Sequence, residues 1–134
     1  MTTRITIQML KQRMDDGAKL LIIDSRSEGA YRASALKIKG AIRIAYDKVG
    51  AELKSGKLKS FPKTGEIITY CSQPGEAASD RVARTLTDNG FRNVRALIGG
   101  FEAWQKAGYA VEPKDVPATG GAGKSGGKKP QRKR

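Results

Sequence analysis

Glu66-Ile67-Ile68-Thr69-Tyr70-Cys71-Ser72-Gln73-Pro74-Gly75-Glu76-Ala77-Ala78-Ser79 joins a β-rich run to a loop and the start of a helix. Glu66 to Tyr70 is rich in β-branched and aromatic residues and reads as a strand. Past the loop, Ala78, Val82, Ala83 and Leu86 mark one apolar face of a helix that stops at Asn89-Gly90. A strand passing into a helix in this way is half of a β-α-β unit, the building block of parallel sheets.

The same alternation extends in both directions. Upstream, Ile7, Leu10 and Met14 have helical spacing within Thr6 to Asp16, and Gly17 follows as a stop. Leu20 to Ile23 is a continuous apolar run, as expected of a strand covered on both faces. A helical turn is expected over Glu28 to Ala33, a strand over Ala41 to Ile44, and a weak helix over Tyr46 to Leu58. Downstream, Val94 to Ile98 reads as a strand. Gly99-Gly100 then opens a short helix through Trp104, ended by Gly108. Phe101 and Trp104 share a face of that helix and are expected in the core. The whole predicts an α/β fold with helices on both faces of a parallel sheet.

The chain has 134 residues, the size of one domain. We place that domain at residues 1–112 and a basic Gly/Lys-rich tail at 113–134. The segment from Gly120 to Arg134 holds five glycines and no large apolar residue. It cannot bury enough surface to offset its ordering entropy, so disorder is expected there. The formal net charge is +13; the tail has seven bases and one acid, so the remaining +7 belongs to the body. Such a body steers small anions and acidic surfaces towards itself. The tail could hold nucleic acid through phosphates, but it lacks aromatics for base stacking, and a solubilising role is the favoured expectation. No apolar run approaches the ~20 residues that span a bilayer, and the N-terminus lacks the apolar stretch of a secretory signal. A cytoplasmic protein without membrane attachment is expected.

There is no histidine and one cysteine. That excludes Ser-His-Asp and Cys-His pairs, an internal disulfide and a multi-cysteine zinc site. No metal or other cofactor is expected. Cys71 ends a strand just before a helix, where ligand sites form in parallel α/β sheets. There, loop amides and the helix dipole favour an anion, and the thiolate is the nucleophilic form of cysteine. Gly75 allows the backbone angles of a tight anion nest. The plainer reading makes Cys71 a small buried hydrophobe at a strand end. Its position favours the reactive one.

Taken in order, these segments resemble the rhodanese-like domain family. Tyr70-Cys71, a Gly-containing loop, Ser79, Gly90-Phe91, Asn93-Val94 and Leu97-Ile98-Gly99-Gly100-Phe101-Glu102-Ala103-Trp104 are similar to its second half. Leu21 to Arg26 stands where the family has an Asp-x-Arg strand end; Glu28 and Tyr31 follow, and Ile38-Lys39-Gly40-Ala41-Ile42 is similar to its Ile-Pro-Gly-Ala segment. The similarity covers about residues 4 to 111. It implies a three-layer fold with a central five-stranded parallel sheet. It also implies a sulfurtransferase in which Cys71 takes sulfane sulfur from thiosulfate or a persulfide donor and passes it to cyanide, a thiol or a protein acceptor.

Ser72, Gln73, Gly75, Glu76, Ala77 and Ala78 would bind the donor through loop amides. Asp24 and Arg26 are implied as structural support, Asp24 holding loop amides and Arg26 pairing with a carboxylate such as Glu28. The chain departs from the family's pattern in three ways. The loop is about two residues longer than the usual hexapeptide. It carries Glu76 and no base, which disfavours both a thiolate and an anionic donor. Leu36-Lys37 stands where a histidine often precedes the Ile-Pro-Gly-Ala segment.

A phosphatase-like Cys-x5-Arg site is excluded, because the first arginine after the cysteine is Arg81. Gly121 to Ser125 imitates the end of a phosphate-binding loop, but Ala118 stands at the required first glycine and no strand precedes it. Two functions stay open: the sulfurtransferase, and a rhodanese-like binding or regulatory module with a weak or inactive thiol.

Overall fold

The computed structural model describes residues 3–72 and 77–114. The chain runs β1 (Thr3–Ile5), α1 (Ile7–Asp15), β2 (Leu20–Asp24), α2 (Glu28–Ala33), β3 (Leu36–Ile38) and β4 (Ile42–Arg43). It continues with α3 (Val49–Lys54), β5 (Glu66–Tyr70), α4 (Ala77–Asp88), β6 (Asn93–Leu97), α5 (Gly100–Lys106) and β7 (Val111–Pro113). Short polar side chains start two of the helices: Thr6 Oγ1 accepts from Met9 N, and Ser27 Oγ accepts from Ala30 N. Each bond satisfies one of the orphan amides of a first helical turn.

Five strands form one parallel sheet in the order β1-β6-β5-β2-β4, the architecture expected from the sequence. From β2 the chain adds β4 on one side, then returns to place β5 on the other. The gap between the carboxyl ends of β2 and β5 is therefore the topological switch point, where α/β sheets open a crevice. Residues alternate across the sheet. Ile22 and Ile68 pack with Leu10, Phe101 and Trp104 on one face, whereas Ile23 and Ile67 pack with Val49, Val82, Leu86 and Phe91 on the other. Phe101 and Trp104 are buried, as expected.

Three features depart from the sequence reading. The helix expected over Tyr46 to Leu58 spans only Val49–Lys54, because Ser55 caps it and Gly56 turns away at φ 93. The three-residue β1 at the sheet edge carried no pattern long enough to read. A separate antiparallel ribbon pairs β3 with β7 in the register Leu36↔Pro113, Lys37↔Glu112 and Ile38↔Val111. Lys114 N then donates to Ala35 O at 3.1 Å. Of the expected tail, residues from 115 onward lie outside the described residues. No helix among the described residues is long and apolar enough to cross a membrane.

Candidate functional site

Cys71 directly follows β5, the middle strand of the sheet, and is 7% exposed. Ser79 Oγ, in the first turns of α4, donates to Cys71 Sγ at 3.8 Å. Ser79 is itself held in place: its carbonyl accepts from Thr69 Oγ1 at 2.9 Å. Strand and helix are thus pinned together just below the thiol, and both polar partners are fully buried. A buried hydroxyl left without a partner is costly, so these bonds fix the rotamers as well as the backbone.

A second helix holds the loop's carbonyls. Phe101 N donates to Cys71 O at 2.7 Å and Glu102 N to Ser72 O at 2.9 Å. These amides belong to the first turn of α5 and would otherwise lack partners inside the helix. Gly99, at φ 86 in the left-handed region, turns the chain from β6 into that helix. On the other side of β5, Ser25 N and Ser25 Oγ both donate to Tyr70 O, at 2.9 and 2.7 Å. The end of β5 is therefore tied to the ends of β2 and β6 at once.

Asp24 and Arg26 form a buried ion pair at the floor of this region, each 1% exposed. Arg26 Nη2 donates to Asp24 Oδ2 at 2.6 Å and to Leu36 O at 2.8 Å, while Arg26 Nε donates to Asp24 Oδ1 at 3.0 Å. Asp24 Oδ1 also accepts from Arg26 N at 3.1 Å. The guanidinium lies 4.6 Å from the Phe101 ring centroid. This corrects the expected partner of Arg26: it is Asp24, not Glu28. Residues two apart in extended backbone point to the same side. Glu28 opens an exposed helix instead, accepting from Arg32 Nε at 2.9 Å and lying 3.7 Å from Arg43. Burial opposes the charge on Arg26, but the hydrogen bonds and charge of Asp24 outweigh it and hold the guanidinium above its usual range.

Tyr70 sits against this pair, fully buried, with its hydroxyl accepting from Ile38 N at 3.1 Å. Burial first, and the Asp24 carboxylate second, push its phenol well above the usual range, so it stays neutral. Arg43 Nη1 completes the floor by donating to Arg26 O at 2.6 Å.

Of the expected donor-binding residues, the structure brings Ser72 and Ala78 to the loop ends beside Cys71, both partly buried. Ala77 opens α4. Gln73, Gly75 and Glu76 lie outside the described residues. Sequence reasoning named Ser79 only as a mark of resemblance and passed over Thr69 and Ser25. A hydroxyl residue at each strand end and helix start was the available signal.

A family description, rhodanese-like domain, matches residues 6–107. The chain is 26% identical over 116 residues to "Adenylyltransferase and sulfurtransferase MOCS3-2" of Zea mays, covering 87% of this chain and 23% of that protein. It thus spans about a quarter of that relative's length. It is 33% identical over 86 residues to "Thiosulfate sulfurtransferase GlpE" of Actinobacillus succinogenes, covering 60% of this chain and 76% of that one. Among solved structures it is similar to the rhodanese-like domain of the Alr3790 protein from Anabaena sp. The TM-score is 0.67 at 21% identity, covering all of this chain and 94% of that one, a likeness of fold.

Proposed function

Because the chain belongs to the rhodanese-like domain family, we propose that it is a sulfurtransferase working through a persulfide on Cys71. One observation carries the proposal: the lone thiol lies at the switch point of the sheet with the Ser79 hydroxyl on its sulfur. The Cys71 thiolate attacks the outer sulfur of thiosulfate, the S–S bond of the donor breaks, and sulfite leaves with the bonding pair. The product is Cys71–S–S⁻. A thiolate or cyanide then attacks the terminal sulfur, forming a new persulfide or thiocyanate and returning Cys71 as a thiolate. A persulfide donor enters by the same first step, with a thiolate leaving.

The chain's own groups serve this sequence in two ways. Ser79 Oγ donates to Sγ while it carries the thiolate charge, before the attack and again as the acceptor breaks the persulfide, and a preorganised donor costs no reorganisation at that moment. Loop amides between Ser72 and Ala78 cradle the donor's anionic part in this proposal. The α5 amides are engaged by the Cys71 and Ser72 carbonyls and so act by holding the loop, not by binding the donor. Asp24 and Arg26 support the floor and take no part in the chemistry.

Intact-mass measurement tests the reading. After exposure to thiosulfate, or to a small-molecule persulfide, the protein should gain one sulfur, lose it to cyanide, and show no gain as Cys71→Ser. A chain that stays unmodified with both donors, and whose thiol is alkylated no faster than a free peptide cysteine, would instead be a rhodanese-like binding module.

A further inference from the structure

The amino ends of the strands form a second face, one length of β5 away from Cys71, roughly 17 Å. Two grooves open there. The first, about 450 Å³, is lined by Arg13, Arg92, Arg95 and the nine-tenths-buried Glu66. Glu66 engages both Arg13, at 2.5 Å, and Arg95. Two guanidiniums thus share one carboxylate, and Arg92 lines the same groove. The second groove, about 520 Å³, is lined by Lys54, Lys59, Lys63 and Asn89, with no carboxylate among its lining residues. The two adjoin, since Arg92 N donates to Lys63 O at 2.9 Å. Among the described residues, none of Lys54, Lys59, Lys63 and Arg92 forms an ion pair.

We propose that this face binds the phosphate backbone of a duplex nucleic acid, leaving the opposite end, where Cys71 lies, uncovered. Six cations and one carboxylate line the two adjoining grooves, with Asp16 close to Arg13, and this excess spread over both matches a polymer of closely spaced charges better than a single small anion. The aromatic beneath the second groove, Phe91, is 2% exposed and lies 4.1 Å under Lys63 Nζ. It is closed to base stacking, so contact is through phosphates and without sequence preference. The proposal is independent of sulfur transfer and stands or falls separately from it.

The test uses the full chain with labelled RNA and DNA duplexes of about two helical turns, followed by fluorescence anisotropy over a salt series. The parent should bind with affinity falling linearly in log salt. The variant Lys54→Gln/Lys59→Gln/Lys63→Gln should bind about 10-fold more weakly, with a slope smaller by about 2 to 3. All three lysines are exposed, so the fold survives, and an unchanged circular dichroism melt verifies it. A second full-length variant carries glutamine at Lys124, Lys128, Lys129, Arg132, Lys133 and Arg134, and should keep most of the parent's affinity. Comparing the two duplexes tells which nucleic acid is preferred. The proposal is overturned by parent-like binding of the triple-lysine variant, or by loss of binding when the tail is neutralised. Competition by polyglutamate as effective as by duplex would also overturn it, and assign the face to an acidic protein.

Discussion

Ser79 Oγ donates to Cys71 Sγ across 3.8 Å, although the two residues stand on opposite sides of the loop that joins β5 to α4. The contact is set by the bond from Thr69 Oγ1 to Ser79 O, which uses the backbone of α4 and survives any change of the Ser79 side chain. The hydroxyl can therefore be removed without unpinning the helix.

In Ser79→Ala the sulfur loses its hydroxyl donor while the strand–helix bond remains. Loss of one such bond to a charged atom corresponds to roughly 10-fold in rate. Iodoacetamide alkylation of Cys71 and sulfur loading from thiosulfate should both slow by about that factor, with little change in melting temperature. Parent-like rates would detach the hydroxyl from the sulfur chemistry.

Arg26→Met should leave the Asp24 carboxylate buried without its hydrogen-bonded guanidinium and with only Arg43, 3.6 Å away, in ion-pair range. Breaking a buried pair from one side costs about 3–5 kcal/mol, far more than the pair's net worth. Urea midpoints should drop accordingly. Arg26→Lys should recover only part of the loss, because an ammonium cannot reproduce the forked contacts to both Asp24 oxygens and Leu36 O.

The raised phenol of Tyr70 makes stability fall in alkali. Below the ordinary tyrosine value of about 10, folded and unfolded chains both carry the proton and the contribution is complete. As pH rises past that value the unfolded chain loses its proton first, so it binds fewer protons and stability declines until the folded value is reached. Urea midpoints measured from about pH 8 to pH 11 should show a decline that is shallower in Tyr70→Phe. Identical slopes for the two chains would contradict this.

Gly99→Ala meets two obstacles. The residue adopts φ 86, and an added Cβ would lie 2.6 Å from Ala103 Cβ. A cost of about 1–3 kcal/mol is expected. The first turn of α5 should shift with it, loosening the amides of Phe101 and Glu102 from the Cys71 and Ser72 carbonyls. Sulfur loading per folded molecule should therefore fall too; a purely global destabilisation would leave it unchanged.

How far the sequence reached follows from the range of each interaction. The span from Glu66 to Asp88 was legible because strand period, helix period and the Asn89-Gly90 stop are all local signals. The ribbon of Leu36–Ile38 with Val111–Pro113 was not, since each strand has three residues and its partner lies more than seventy positions away. The Asp24–Arg26 pair illustrates the middle case. Both residues were marked as support, yet their pairing with each other needed the extended backbone that carries them to one side.

By itself the sequence determined an alternating β-α chain with an apolar centre, one thiol at a strand end and an excess of positive charge, because periodicity and composition are properties of neighbouring residues. Tertiary structure decided what that thiol touches. Only the parallel order β1-β6-β5-β2-β4 sets Cys71 at the switch point with the first turn of α5 on its carbonyl and Ser79 on its sulfur. It also decided that Arg13, Arg92 and Arg95 share a groove beside one formed by Lys54, Lys59 and Lys63. Charges so far apart in sequence meet only when the amino ends of neighbouring strands are brought together.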